Sequence, residues 1–90
     1  MNWIVKFSSQ AEKYYSSLPS NTRKKIKIKL KELEEQRFTL FYSGVKPLTG
    51  KLKGFYRLRI GKFRIIFYLI EEERIIAVVN IYPGGDVYKK

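Results

Sequence analysis

The run Trp3-Ile4-Val5-Lys6-Phe7 is dense in β-branched and aromatic residues and predicts a short first strand. Ser9 and Glu12 then stand at capping-box spacing, with Phe7 placed to staple the chain before the cap. Ala11, Tyr14, Tyr15 and Leu18 follow at helical spacing, and Pro19 ends that helix. Ser20 or Asn21 caps a second helix running to about Gln36, with Ile26, Leu30 and Leu33 as its apolar seam and Ile28 off it. Residues 37–54 read as a looser connection, broken by Ser43-Gly44, Pro47 and Thr49-Gly50. Beyond it the period changes to two. Phe55 to Ile60 is a strand, Gly61-Lys62 a two-residue turn with glycine where a type II′ hairpin wants it, and Phe63 to Ile70 the return strand. Glu71-Glu72-Glu73 makes the next turn, Arg74 to Tyr82 a further strand, and Pro83-Gly84-Gly85 breaks it. The predicted order is β-α-α-β-β-β, an α+β fold with two N-terminal helices on one face of a small antiparallel sheet.

Composition narrows the class. Ninety residues suit one domain spanning 1–90, and 44% hydrophobic residues supply a core. There is no cysteine and no histidine, which removes disulfides, thiol nucleophiles, the common transition-metal ligand sets and the usual neutral-pH base. No metal or cofactor is implied. The longest apolar run, Ile65 to Ile70, is far short of the roughly 18–20 residues of a membrane span, and the N-terminus does not read as a signal peptide. A cytoplasmic protein without a membrane partner is expected.

Charge changes the picture more. Nineteen Lys and Arg against eight Asp and Glu give +11, a field that attracts polyanions. A lysine-rich thermophile surface would raise Glu along with Lys, and here acids are scarce. In the second helix Lys24, Lys27 and Lys31 belong to a basic front half, while Glu32, Glu34 and Glu35 crowd the end. That is the reverse of what the helix dipole prefers. A solvated surface and an anion-binding face both fit this pattern.

The hairpin concentrates the charge. With Gly61-Lys62 as the turn, Ile60 faces Phe63, Arg59 faces Arg64, Leu58 faces Ile65 and Arg57 faces Ile66. Arg57, Arg59, Arg64, Ile66 and Tyr68 then share one side, and Tyr56, Leu58, Ile60, Phe63, Ile65, Phe67 and Leu69 the other. Arg59 and Arg64 face each other at about 5 Å between Cβ atoms, where like charges destabilise a sheet. Either the three guanidiniums splay into solvent or an anion supplies the missing charge, and arginine is the residue suited to bidentate phosphate recognition. Lys51 and Lys53, just ahead of the strand, extend the positive field.

Residues 52–68, and above all Tyr56-Arg57-Leu58-Arg59-Ile60-Gly61 followed by Phe63-Arg64-Ile65-Ile66-Phe67, resemble the central hairpin of the RelE/ParE toxin family. The Leu18-Pro19 break, the lysine-rich second helix and the terminal Val87-Tyr88 fit as well, and look most like the archaeal RelE branch. The resemblance implies a type II toxin that cuts mRNA on the ribosome, by attack of a ribose 2′-OH on the adjacent phosphate, and thereby inhibits translation. It implies a RelB-like antitoxin that holds the toxin inactive in an oligomeric complex. By position it assigns catalytic roles to Arg57, Arg59, Arg64 and Tyr88, while the positive charge of Lys51, Lys53, Lys24, Lys27, Lys31 and Lys89 is expected to serve RNA binding.

The chemistry constrains these roles. Guanidinium holds its proton at physiological pH, so the arginines bind phosphate and stabilise charge instead of moving protons. A phenol titrates near about 10, so Tyr88 serves as a base only with a lowered value, and otherwise as a stacking platform for a nucleobase. Family members carry a further basic residue ahead of the terminal tyrosine, where this chain has Pro83-Gly84-Gly85-Asp86. Asp86 there pairs with Arg64, acts as an unusual base, or marks a weakened enzyme. The alternatives in function are a ParE-like gyrase inhibitor and a catalytically weakened RNA- or ribosome-binding homologue.

Overall fold

A helix-covered mixed sheet is what the chain builds, and the computed structural model describes it over residues 2–37 and 39–83. The elements are β1 (Ile4–Phe7), α1 (Ser9–Ser16), α2 (Ser20–Glu34), β2 (Val45–Pro47), β3 (Tyr56–Ile60), β4 (Phe63–Ile70) and β5 (Ile75–Pro83). Short 3₁₀ turns lie at Thr39–Phe41, Gly50–Leu52 and Glu71–Glu73. The fold is α+β with two helices, as the hydrophobic pattern predicts. Two features of the sheet differ from expectation. It has five strands in the order β1-β5-β4-β3-β2, because the connection after α2 contributes the three-residue β2. It is also mixed, since β1 runs parallel to β5 and pairs Ile4 with Ile75 through Phe7 with Val78.

One apolar layer joins the helices to the sheet. Ala11 from α1 and Ile26, Leu30 and Leu33 from α2 form a single cluster with Leu58, Ile60, Ile65, Phe67, Ile76, Val78 and Ile81. Both helices therefore cover the same sheet face. The predicted seam of α2 is buried and Ile28, off the seam, is 58% exposed.

The helix caps fall elsewhere than predicted. Ser8, not Ser9, caps α1: its Oγ accepts from the Ala11 backbone N–H at 3.0 Å and donates to the Val79 carbonyl at 2.9 Å. Only Ser8 can do both, because its own N–H is already bonded to the Val78 carbonyl at 2.8 Å. No capping box with Glu12 forms, and Phe7 packs edge-on against Tyr15 with ring centroids 5.3 Å apart. In α2 neither Ser20 nor Asn21 caps. Pro19 holds the cap position without a side-chain bond, and the helix ends at Glu34, short of Gln36. Ser8→Ala is expected to cost about 1–2 kcal/mol, read as a lower urea midpoint, while Ser9→Ala leaves the midpoint unchanged.

The acids at the unfavourable end of α2 are put to use. The Glu34 carboxylate accepts from the Val5 backbone N–H at 2.7 Å, and the Glu34 carbonyl accepts from Trp3 N–H at 2.9 Å. Both bonds engage the outer side of β1, an edge strand with few other ways to satisfy its N–H groups. Glu32 accepts the Tyr42 hydroxyl bond and lies 3.8 Å from the Lys29 ammonium. Burial first, then the Glu32 carboxylate, pushes the Tyr42 phenol up to about 12. A folded-state value above the unfolded one means this contact stabilises the protein fully below pH about 10 and is lost as pH rises through about 12. Tyrosinate absorbance is expected to show one phenol ionising late, and Glu32→Gln to bring it only part of the way back, because burial remains.

Candidate nucleic-acid interface

Strand pairing in the central hairpin follows the predicted register: Arg57 with Ile66, Leu58 with Ile65, Arg59 with Arg64 and Ile60 with Phe63. Gly61 has φ +57 while Lys62 does not enter the left-handed region, the combination a type II′ turn needs. Leu58, Ile60, Ile65 and Phe67 enter the core, so Arg57, Arg59 and Arg64 stand together on the sheet face turned away from the helices.

The pairing of the outer strands adds residues that the sequence pattern did not reveal. Lys46 on β2 pairs with Arg57, which brings a lysine onto the same face. On β5 the register slips between Ile66 and Phe67: Ile66 pairs with Asn80 but Phe67 pairs with Val78, leaving Val79 as a bulge. Strict alternation from the buried Ile76 and Val78 would have sent Asn80 and Tyr82 into the core. The extra residue turns Ile81 inward instead and puts Asn80 and Tyr82 beside the arginines.

The face therefore carries two cross-strand rows, Lys46-Arg57-Ile66-Asn80 and Arg59-Arg64-Tyr82. Tyr68, on the same face, packs edge-on against Phe55 with centroids 5.4 Å apart. Ile66 is only 5% exposed although it points away from the helices. Arg57 and Arg64 are half-buried and Arg59 exposed. The Arg64 Nε is itself buried, so this side chain does not splay wholly into solvent.

The remaining predicted residues lie elsewhere. Lys51 and Lys53 are exposed around the 3₁₀ turn that leads into β3, at the end of the strand opposite Gly61. Lys24, Lys27 and Lys31 are exposed on α2, with the core and the sheet between them and the arginine face. They form a second basic surface. Tyr88, Lys89 and Asp86 lie outside the described residues. Among the described residues no cluster of three or more His, Cys, Asp or Glu side chains stands together to hold a metal, and no helix is long and apolar enough to cross a membrane.

A groove of about 390 Å³ runs between β1 and the helices, lined by Val5, Phe7, Tyr15, Leu30, Lys27, Lys31 and Glu34. Its walls are largely apolar, and its charged residues, two lysines against one glutamate, leave it net basic. An acidic amphipathic segment is the complement of such a surface.

Comparisons with known proteins agree on the kind of molecule this resembles. The family model described as ParE toxin of type II toxin–antitoxin system, parDE, matches residues 5–88. The protein named "Putative toxin RelE1" of Methanocaldococcus jannaschii is 29% identical over 89 residues, covering 99% of this chain and 98% of that one. Among solved structures, a chain of the archaeal RelE–RelB complex from Pyrococcus horikoshii superposes with a TM-score of 0.76 at 26% identity, covering 94% of this chain and 98% of that chain. A chain of the toxin–antitoxin complex RelBE2 from Mycobacterium tuberculosis gives 0.77 at 18% identity, with 93% of each chain covered, a likeness of fold.

Proposed function

The chain belongs to the RelE/ParE family of toxins of type II toxin–antitoxin systems, and from that membership we propose that it is a ribosome-dependent endoribonuclease that cleaves mRNA. The observation that supports this reading is the shared face of Arg57, Arg59, Arg64 and Lys46. Attack of a 2′-OH on the neighbouring phosphate forms the new P–O2′ bond, breaks P–O5′ and builds negative charge on the phosphorane oxygens. Three guanidiniums and an ammonium on one rigid sheet oppose that charge without reorganising, which is where such catalysis gains most. The 2′-OH proton and the 5′-oxygen each need a proton carrier, and the family position for one of them is Tyr88. Tyr68 and Tyr82 stand where an unstacked base is offered an aromatic partner.

The partner follows from the same membership. The solved relatives include complexes named for RelE and RelB, and a RelB-like antitoxin with an acidic, amphipathic segment suits the net basic groove beside β1. Such a segment folds as it binds.

The test is purified protein added to programmed ribosomes, with mRNA ends mapped by primer extension. Codon-internal cuts in the A site are expected. If no cut appears where a control toxin works, the nuclease reading fails. One observation favours a second reading, since the family model that matches is named for ParE. Gyrase-dependent DNA cleavage in place of mRNA ends would establish it.

A further inference from the structure

Breaking the P–O5′ bond leaves an alkoxide at O5′, and that oxygen takes up a proton as it departs. Tyr88 is the family position for one of the two proton carriers that the cleavage requires, which leaves the other open. Arg57, Arg59 and Arg64 do not fill the gap, because guanidinium ordinarily holds its proton to above about 12. The second carrier is therefore a different side chain on the arginine face.

The register of β2 supplies a candidate. Lys46 pairs with Arg57 while its neighbour Val45 pairs with the buried Leu58, so the lysine lies on the face turned away from the helices. Cross-strand pairing puts the Cβ atoms of Lys46 and Arg57 about 5 Å apart, and Arg59, on the diagonal, about 7–8 Å from Lys46. Lys46 is exposed. Among the described residues no carboxylate pairs with Lys46, Arg57 or Arg59, whereas Lys29 on α2 has Glu32 at 3.8 Å. The ammonium is thus left to an anion from outside the described chain, beside the guanidiniums that would hold the same phosphate.

An ammonium differs from a guanidinium in what it can give away. A lysine side chain ordinarily carries its proton at neutral pH and releases it near about 10.4. An alkoxide is far more basic than that, so transfer to it runs downhill and extinguishes a cation and an anion together. The other described groups on this face with a transferable proton are the phenols of Tyr68 and Tyr82. Tyr68 packs against Phe55, and Tyr82 stands on β5, the strand from whose end the chain runs on to Tyr88. β2 and β5 flank β3 and β4, the two strands that carry the arginines. The attacking and leaving oxygens stand in line on opposite sides of phosphorus. A phosphate seated over β3 and β4 can therefore turn its leaving oxygen to the β2 flank, where Lys46 is, and its attacking oxygen to the other.

We propose, on the premise of that mRNA cleavage, that Lys46 is its general acid and donates a proton to the departing 5′-oxygen. The 2′-oxygen forms the new P–O2′ bond, and its proton leaves to the carrier for which Tyr88 is the family position. The electron pair of P–O5′ goes to O5′, and an Nζ–H bond of Lys46 breaks as O5′–H forms. The products are a 2′,3′-cyclic phosphate and a free 5′-hydroxyl, and water reprotonates the neutral amine.

A leaving group that needs no proton separates this role from charge stabilisation. Single-turnover cleavage on programmed ribosomes is compared for two mRNAs, one natural and one with a bridging sulfur in place of the scissile O5′, because a thiolate departs unprotonated. Lys46→Gln changes an exposed side chain on an edge strand. It is expected to slow cleavage of the natural mRNA at least about 100-fold, the usual worth of a general acid. The sulfur-containing mRNA is expected to be cut by the same variant at close to the wild-type rate. Lys46→Arg keeps the positive charge without a transferable proton and is expected to behave as Lys46→Gln does. Arg64→Ala, which removes charge from the phosphorane, is expected to be slow on both mRNAs. The proposal is overturned if Lys46→Gln cuts the natural mRNA at the wild-type rate, if it is equally impaired on both, or if Lys46→Arg restores the rate. Each of those outcomes leaves the nuclease activity itself standing. Absence of any wild-type cut where a control toxin works overturns the nuclease activity and the role of Lys46 together.

Discussion

Arg64→Ala is expected to abolish growth inhibition and to slow single-turnover mRNA cleavage by about 100- to 1000-fold, the usual effect of deleting one preorganised charge from a phosphorane or oxyanion site. The loss follows from position. Arg64 is the middle member of the row Arg59-Arg64-Tyr82 and is half-buried, with its cross-strand neighbour another arginine. Removing it relieves a like-charge pair, so the fold is expected to persist, as judged by an unchanged far-ultraviolet circular dichroism spectrum. Arg64→Lys keeps the charge but not the planar fork, and is expected to restore only part of the rate. Antitoxin affinity, measured on the same variants, is expected to stay at the wild-type value, because the groove beside β1 lies on the other side of the sheet. A variant with full cleavage activity would remove Arg64 from the catalytic machinery.

The largest loss of stability is expected from Phe67→Ala. Phe67 is fully buried, stacks on Tyr56 with centroids 5.8 Å apart, and sits beside the register slip opposite Val78. Truncation there leaves a cavity that the surrounding strands cannot close, at a cost of about 3–5 kcal/mol. In a domain of this size that is a large part of the total and lowers the melting temperature by about 15–30 °C. A thermal melt followed at 222 nm checks it. A shift of only a few degrees would mean that the core around β4 collapses onto the gap.

These two residues also mark how far the sequence could be read. The hairpin was legible because its information is local: a glycine at the turn fixes the register, and the register fixes the faces. The seam of α2 was legible for the same reason, with Ile26, Leu30 and Leu33 at helical spacing and Ile28 displaced from them. What was not legible depends on distant partners. β2 is three residues long and ends in proline, too short to produce an alternation. The parallel pairing of β1 with β5 joins residues 71 positions apart, and no local pattern encodes it. The bulge at Val79 reverses the alternation of β5, which is why Asn80 and Tyr82 escaped notice. A polar Asn80 in a run of aliphatic residues was the one available sign. The choice of Ser8 over its neighbour Ser9 as cap was settled by Val78 and Val79, again from the far end of the chain. Lys24, Lys27 and Lys31 were read with the arginines because charge along a sequence says nothing about which side of a sheet it occupies.

The parallel pairing of β1 with β5 carries a consequence for how the protein is made. β5 lies between β1 and β4, so the sheet cannot be assembled in the order in which its strands leave the ribosome. The first strand must wait, its outer side engaged by Glu34, until the segment 75–83 has emerged. Asn80 and Tyr82 arrive with that same segment. Translation thus withholds the finished arginine face until β5 has emerged, however early the hairpin that carries the arginines is made.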